Sequence, residues 1–413
     1  MKKTYMAAML VLGALVGWHG CYKDVDESGM ISSRHIDDWV DHGDFRASVE
    51  KPLLASTADA FHPSVAFNGS EAGLVYRSGR SAEDAALRFA PLDPWGSPTG
   101  PDVAFLEDPG LAGSVPRISS SDDGRFLVCS LLQSPRRLSV ALIEEDGTVE
   151  CSVETGVDDD VKAPLSAPVE IGDQVFVVAG ISWGHTGEVA LYRFSYPDLA
   201  MERWARMWSW DQMGIIHPVA LRGYDNGLLV VNSKHYTQTH VAVEDVYLDE
   251  MAYTGAITTY GSDEFSNPVL AQHASSSPAT WFGYTIIDKG GGSAWQIMRF
   301  DPIADHELWE PFWFGEVYPC SGVGPIMDSD TSDEPSSAAV FSVHMEGRWQ
   351  VWVHVIDGAG SGAVWDTFSV GSVEASADPT LAPNPTVVWT GLGFLVVWDE
   401  LGASLAMSYV DAF

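Results

Sequence analysis

The clearest alternation of apolar and polar positions runs from Asn384 to Glu400, NPTVVWTGLGFLVVWDE. Val387 and Trp389 follow a proline, which predicts a half-buried strand opened where a missing N–H breaks no ladder bond. Gly391 and Gly393 supply a turn that tolerates φ > 0, and Phe394 to Trp398 form a continuous apolar run of the kind buried on both faces. The stretch therefore predicts a β-hairpin, and a lone hairpin cannot bury itself.

The same unit recurs along the chain. It stands at Pro63 (HPSVAFNGSEAGLVY), Pro116 (VPRISSSDDGRFLVCS), Pro168 (APVEIGDQVFVVAG) and Pro218 (HPVALRGYDNGLLVV), then with longer turns at Pro268 and Pro325, and last at Pro385. The seven copies begin 50 to 60 residues apart, close to the about 40 to 50 residues of a four-stranded propeller blade. Each copy has room for a third strand, such as Val189 to Tyr196 or Trp295 to Phe300, and a fourth, such as Trp204 to Trp210. The expected fold is all-β, a seven-bladed β-propeller over residues 45–413. The last copy has room for only three strands, ending at Leu405 to Val410. Phe45 to Ala55 have no other sheet to join, so this N-terminal strand is expected to complete the last blade and close the ring.

Ahead of the repeats, Lys2 and Lys3 precede an apolar run from Met6 to Trp18, and Gly20-Cys21 follow. This predicts a secretory signal over residues 1–21; the run is shorter than the about 20 residues that span a bilayer. It resembles the signal of bacterial lipoproteins, whose cysteine is cut at and acylated. Gly20 and Cys21 match that pattern, while Trp18 and His19 depart from its Leu and small residue. The resemblance implies lipidation of Cys21 and a place in the bacterial cell envelope, at the outer membrane. The alternative is an ordinary cleaved signal with an incidental cysteine. Residues 22–44 carry six Asp and one Glu and are expected to form an acidic flexible tether.

Charge narrows the partners. A net charge of −35 over 413 residues argues against nucleic acid and against electrostatic binding to anionic lipid, leaving the lipid anchor as the expected membrane contact. A monomer is expected. Cys129, Cys151 and Cys320 remain once Cys21 is set aside. The first two fall on a second and a fourth strand of one blade, separated by about two strand spacings of 4.8 Å, so no disulfide is expected between them.

In a propeller the turns joining strands one and two, and three and four, share a face. Here they hold Asp122, Asp123, Glu144, Glu145, Asp146, Asp249, Glu250, Asp328, Asp330 and Asp333, so that face should be negative. The opposite face should be mixed, with Arg77, Arg80, Arg136, Arg137, Lys234, Lys289 and Arg348 beside Asp158, Asp159 and Asp160; a ligand site is expected there. The residues before four of the seven prolines are His62, His217, Asn267 and Asn384. Pseudo-symmetry puts them around the mouth of the central channel, where they are candidate ligand-binding residues together with Arg136 and Arg137. His62 and His217 belong to nearly opposite blades, too far apart to share one metal at about 2.0 Å, and polar residues before proline also suit an extended turn. The acidic run from Asp328 loosely matches a calcium loop but lacks its spaced glycine and terminal bidentate Glu, so no cofactor is expected, with calcium the alternative. Sixteen tryptophans invite a sugar-stacking reading, which packing between blades explains more simply for Trp204, Trp208, Trp210, Trp349 and Trp398.

No His-Glu-x-x-His, phosphate loop or Cys-x-x-Cys occurs, and no catalytic residue is assigned. PRISSSDDGRFLV from Pro116 resembles the P-x-x-S-P-D-G-x-x-I repeat of TolB-like, WD40-like propellers, with Ser121 in place of the usual proline and one residue inserted. The hairpin at Asn384 is similar to repeats of bacterial propeller lipoproteins. The resemblance implies a propeller that interacts with partners in the envelope, and its motif residues Asp122, Asp123 and Gly124 make the turn. The expected function is a non-enzymatic module binding a protein, peptide or glycan. The alternative is a propeller glycosidase or polysaccharide lyase with acids in the central funnel, for which Asp158 and Glu264 are candidates without a motif.

Overall fold

The structure, a computed structural model, describes residues 36, 38–53, 59–158, 161–162, 165–183, 186–210, 216–222, 228–235, 239–247, 252–262, 265–271, 280–287, 293–301, 306–307, 312–317, 326–329, 336–345, 347–357, 364–374 and 382–412. Within those strands, side chains are described except at 162, 182–189, 206–327, 329, 364 and 412. The residues from Asp38 onward form one compact unit, and all that follows concerns it.

Among the described residues the chain is almost wholly β, folded as seven open antiparallel sheets taken nearly in chain order. The first comprises Ala60–Phe67, Ala72–Ser78, Ala86–Leu92 and Val103–Glu107. The second comprises Arg117–Ser120, Phe126–Gln133, Arg136–Ile143 and Val149–Gly156. The first strands of the others are Val169–Ile171, Ile216–Arg222, Phe265–Ala271, Ile326–Ser329 and Thr386–Trp389, so each of these seven strands contains or directly follows one of the repeated prolines. Two are more elaborate than the repeat predicts. Val161–Lys162 also pairs with Gln174–Trp183 in the third sheet, and both His306–Glu307 and Phe312–Val317 pair with Ser293–Asp301 in the fifth.

Burial follows the sequence pattern strand by strand. The apolar second strands, such as Phe394–Asp399, are buried along their whole length, whereas the outer strand Val149–Gly156 alternates half-buried and exposed positions. That contrast is what a sheet covered on both faces near the axis and half-exposed at its rim produces. The core clusters join neighbouring sheets: Phe89 and Val75 meet Phe126 and Ile143, while Val351 and Phe368 meet Trp398 and Val396. Trp398 is fully buried, worth about 1.5–3 kcal/mol by area. At the hairpin between Thr386–Trp389 and Phe394–Asp399, Gly391 takes φ +80 and the Thr390 N–H donates to the Gly393 carbonyl at 2.9 Å; only glycine adopts that backbone without strain.

The last sheet gains strands from the N-terminus. Phe45–Ser48 pairs with Leu405–Ala412 in the register Phe45↔Ala412, Arg46↔Asp411 and Ala47↔Val410. Lys51–Pro52 pairs farther along the same strand. Trp39–His42, expected as part of the tether, instead pairs with Phe45–Ser48 as a fifth layer. Its side chains explain this: Trp39 lies edge-on to Tyr409 at 6.4 Å and under the Arg46 guanidinium at 4.3 Å, while His42 stacks on Phe368 at 3.9 Å. Arg77, expected on a surface turn, lies inside the strand Ala72–Ser78 and is 7% exposed.

Candidate functional site

Three of the residues before the repeated prolines occupy a shared irregularity in the first strands. Phe61 pairs with Arg77 and Ser64 with Val75, so His62-Pro63 face a single residue and form a β-bulge. The same offset occurs at His217-Pro218, between the pairs Ile216↔Ser233 and Val219↔Val231, and at Asn267-Pro268, between Ser266↔Thr285 and Val269↔Gly283. A proline cannot donate to the ladder, and a bulge is where the ladder can do without it. Only the backbone of His217 and Asn267 is described; their side chains lie outside the described residues.

At His62 the bulge builds a site. The residue takes φ +51, a left-handed conformation rare for a residue with a Cβ and found where surrounding contacts hold it. Its backbone N–H donates to Asp399 Oδ2 at 3.1 Å, and Asn384 Nδ2 donates to the same oxygen at 2.7 Å. Asn384 also hydrogen-bonds the His62 imidazole through its side chain. Two expected mouth residues, from the first and last sheets, are thereby joined across one carboxylate. Asp399 is 1% exposed and its Oδ1 has no hydrogen-bond partner. Burial pushes its carboxyl up to about 6, against the bonds from Asn384 and His62, because a desolvated carboxylate disfavours its charge.

Two arginines flank this joint. Arg77 lies with its guanidinium 4.4 Å from the centre of the Phe61 ring and donates from Nη1 to the Gly79 carbonyl at 3.0 Å. Arg117, the residue after the proline of the second repeat, is half-buried on the adjacent inner strand. Burial first, then these two cations, push the His62 imidazole down to about 4. His62 is therefore neutral at pH 7, and the carboxylates that act on Arg77 are Asp399 and, after it, Asp84.

The other expected residues lie elsewhere. Arg136 donates to the Val161 carbonyl, and Arg137 is paired with Asp108 at 2.7 Å and with Glu154, so both fasten the start of the third strand of the second sheet to the segments beside it. Asp328 accepts the Trp389 N–H at 2.7 Å, linking the sixth sheet to the seventh. Asp330 and Asp333, like Cys21, Cys320 and Glu264, lie outside the described residues, and Asp158 is an exposed link residue. Among the described residues no group of three His, Cys, Asp or Glu is placed to hold a metal. Cys129 and Cys151 are both reduced; the first is buried and donates to the Ser166 carbonyl at 3.3 Å. Trp349 and Trp398 are core residues, whereas Trp204 is 43% exposed and stacks on Tyr192. The chain also contains one Gly-x-Ser-x-Gly run, Gly180 to Gly184. Gly180 to Trp183 continue a strand paired with Thr186–Ser195, not the strand-to-helix turn that exposes a nucleophilic serine.

Asp399, Arg77 and Arg117 were not among the residues expected at the mouth. The available signal was a charge closing an otherwise apolar second strand: GLVYRS at Arg77 and FLVVWD at Asp399.

No protein-family profile matches the sequence, and no curated protein matches it. Solved structures do. A protein of unknown function from Dyadobacter fermentans superposes with a TM-score of 0.52 at 12% identity over 90% of this chain and 100% of that one. An ulvan lyase of polysaccharide lyase family PL25 superposes at 0.52 with 10% identity over 87% of this chain and 94% of that one, and at 0.50 in its oligosaccharide-bound form. The lyase is a β-propeller, and at this identity the likeness shows the fold: the chain is a β-propeller.

Proposed function

We propose that this chain is a seven-bladed, TolB-like propeller, closed by its N-terminal strand, anchored in a bacterial cell envelope through lipid on Cys21, and acting as a non-enzymatic binding module for a protein, peptide or glycan. The ring reading is supported by inner-strand contacts: Thr386–Trp389 lies against both Ile326–Ser329 and Ala60–Phe67, and Ala60–Phe67 lies against Arg117–Ser120. The binding reading is carried by the joint at the mouth. His62 is partly exposed and rigidly aimed, while Asn384 and Asp399 are both engaged in holding it. A preorganised polar side chain on a rigid scaffold is what a selective site requires.

One observation favours the enzyme reading. His62 and Asp399 have acidities shifted in opposite directions, a pattern common at acid–base sites. The Asp399 carboxyl, however, is 1% exposed, so a substrate cannot reach it without the two sheets parting. A lyase of this fold bound to -[GlcA(1-4)Rha3S]- makes polysaccharide cleavage the reaction to test. Affinity electrophoresis of the full-length protein with acidic and neutral polysaccharides and peptides, followed by chain-length analysis, should show retention without shortening; shortened chains would sink the binding reading. Mass spectrometry of the mature N-terminus should find acylated Cys21, and an unacylated start elsewhere refutes the anchor.

A further inference from the structure

Arg77 and Arg117 differ from most of the described arginines. Seven others have a carboxylate within 4.0 Å, in a chain with 57 Asp and Glu against 22 Lys and Arg. Arg77 and Arg117 have none among the described residues. Asp399 and Asp84 act on Arg77 only from beyond ion-pair distance, and the Arg77 Nε is buried with no hydrogen-bond partner. Arg117 has no side-chain hydrogen bond or ion pair among the described residues, although burial disfavours its charge. Unpaired cations removed from water are costly, and a fold retains them where something outside the chain supplies the counter-charge. Both act on His62, at the strained bulge, and His62 and Arg117 are reachable from solvent.

We infer that the mouth holds an oxyanion subsite, in which a carboxylate or sulfate group of the ligand docks on Arg117 beside His62, with Arg77 nearby supplying positive potential. This deepens the binding reading above and rests on it. The planar guanidinium fork matches an oxyanion in geometry as well as charge. The acidic remainder of the surface repels anions, so the subsite selects ligands that offer one such group in the right place rather than polyanions in general.

The test is calorimetric titration of the full-length protein with sodium sulfate and with sodium acetate at constant ionic strength, beside thermal melts. Saturable binding of either anion is expected, with the melting temperature raised about 3–5 °C at about a hundred times the dissociation constant. Sulfate alone indicates a sulfate or phosphate ester as the natural group, acetate alone a carboxylate. Because sulfate strengthens burial in any protein, the deciding quantity is the difference between variants. Arg117→Gln should weaken binding at least tenfold, Arg117→Lys should retain part of it, and Arg80→Gln, which removes an exposed arginine paired with Asp59, should leave it unchanged. No saturable binding of either anion by the unsubstituted protein, or equal binding by folded Arg117→Gln, overturns the subsite and leaves the module reading to stand on neutral ligands. Shortened polysaccharide chains overturn the module reading and leave the subsite in place.

Discussion

Gly402 packs against Phe61, the neighbour of His62. It takes φ +77, and a Cβ there would overlap the Phe61 ring, whose face carries the Arg77 guanidinium. Gly402→Ala therefore meets an unfavourable backbone and a steric conflict together, and should lose about 2–4 kcal/mol of stability in denaturant unfolding. His62 and Asp399 titrate oppositely over nearly one pH window. The folded protein keeps the Asp399 proton up to about 6, above the unfolded value of about 4, so this group lowers stability as pH rises through that interval. His62 stays neutral down to about 4, below the unfolded value of about 6.5, so it raises stability as pH rises. The two offset each other. Asp399→Asn removes the falling contribution, and stability measured from pH 4 to pH 7 should then climb more steeply than in the unsubstituted protein, by on the order of 2 kcal/mol across the window. An unchanged slope would mean that Asp399 is ionised throughout that range.

The N-terminal hairpin shows what a strand gains from its neighbours. Asp37 to Asp44, DDWVDHGD, read as acidic and unstructured, yet Trp39–His42 forms a ladder with Phe45–Ser48, which in turn pairs with Leu405–Ala412. An edge with open N–H and C=O groups rewards any segment that can reach it, and two aromatic contacts outweigh local polarity. Gly43 at φ +71 permits the tight turn. Arg46 and Asp411 add an ion pair at 2.7 Å, and the Ser48 hydroxyl accepts the Tyr409 N–H at 2.9 Å. Ala47 has strands on both sides, so Ala47→Pro should break ladder bonds, detach the hairpin and cost about 2–4 kcal/mol. Faster amide exchange confined to Trp39–Ser48 and Leu405–Ala412 is the expected readout, and unchanged exchange would mean the pairing contributes little.

Over the whole molecule the dominant electrostatic fact is the charge of −35. Self-repulsion of this size opposes the compact state and is screened as the Debye length falls from about 30 Å at 0.01 M to about 8 Å at 0.15 M salt. Raising sodium chloride over that interval should raise the melting temperature by several degrees, and a fall would show that surface ion pairs outweigh the repulsion.

The sequence alone determined the repeat: a proline-led strand, a turn and a strand buried on both faces, read correctly from Pro63 to Pro385 because period-two alternation and the backbone chemistry of proline and glycine are local properties. It also marked His62 and Asn384 as companions, through their shared place before a proline. What it could not contain was the carboxylate between them. Asp399 lies 337 residues from His62 in the chain, and Arg117 comes from yet another repeat. Only the stacking of sheet on sheet brings these groups within reach. A charge that local pattern assigns to the end of a strand becomes a buried charge when a neighbouring sheet takes away its water.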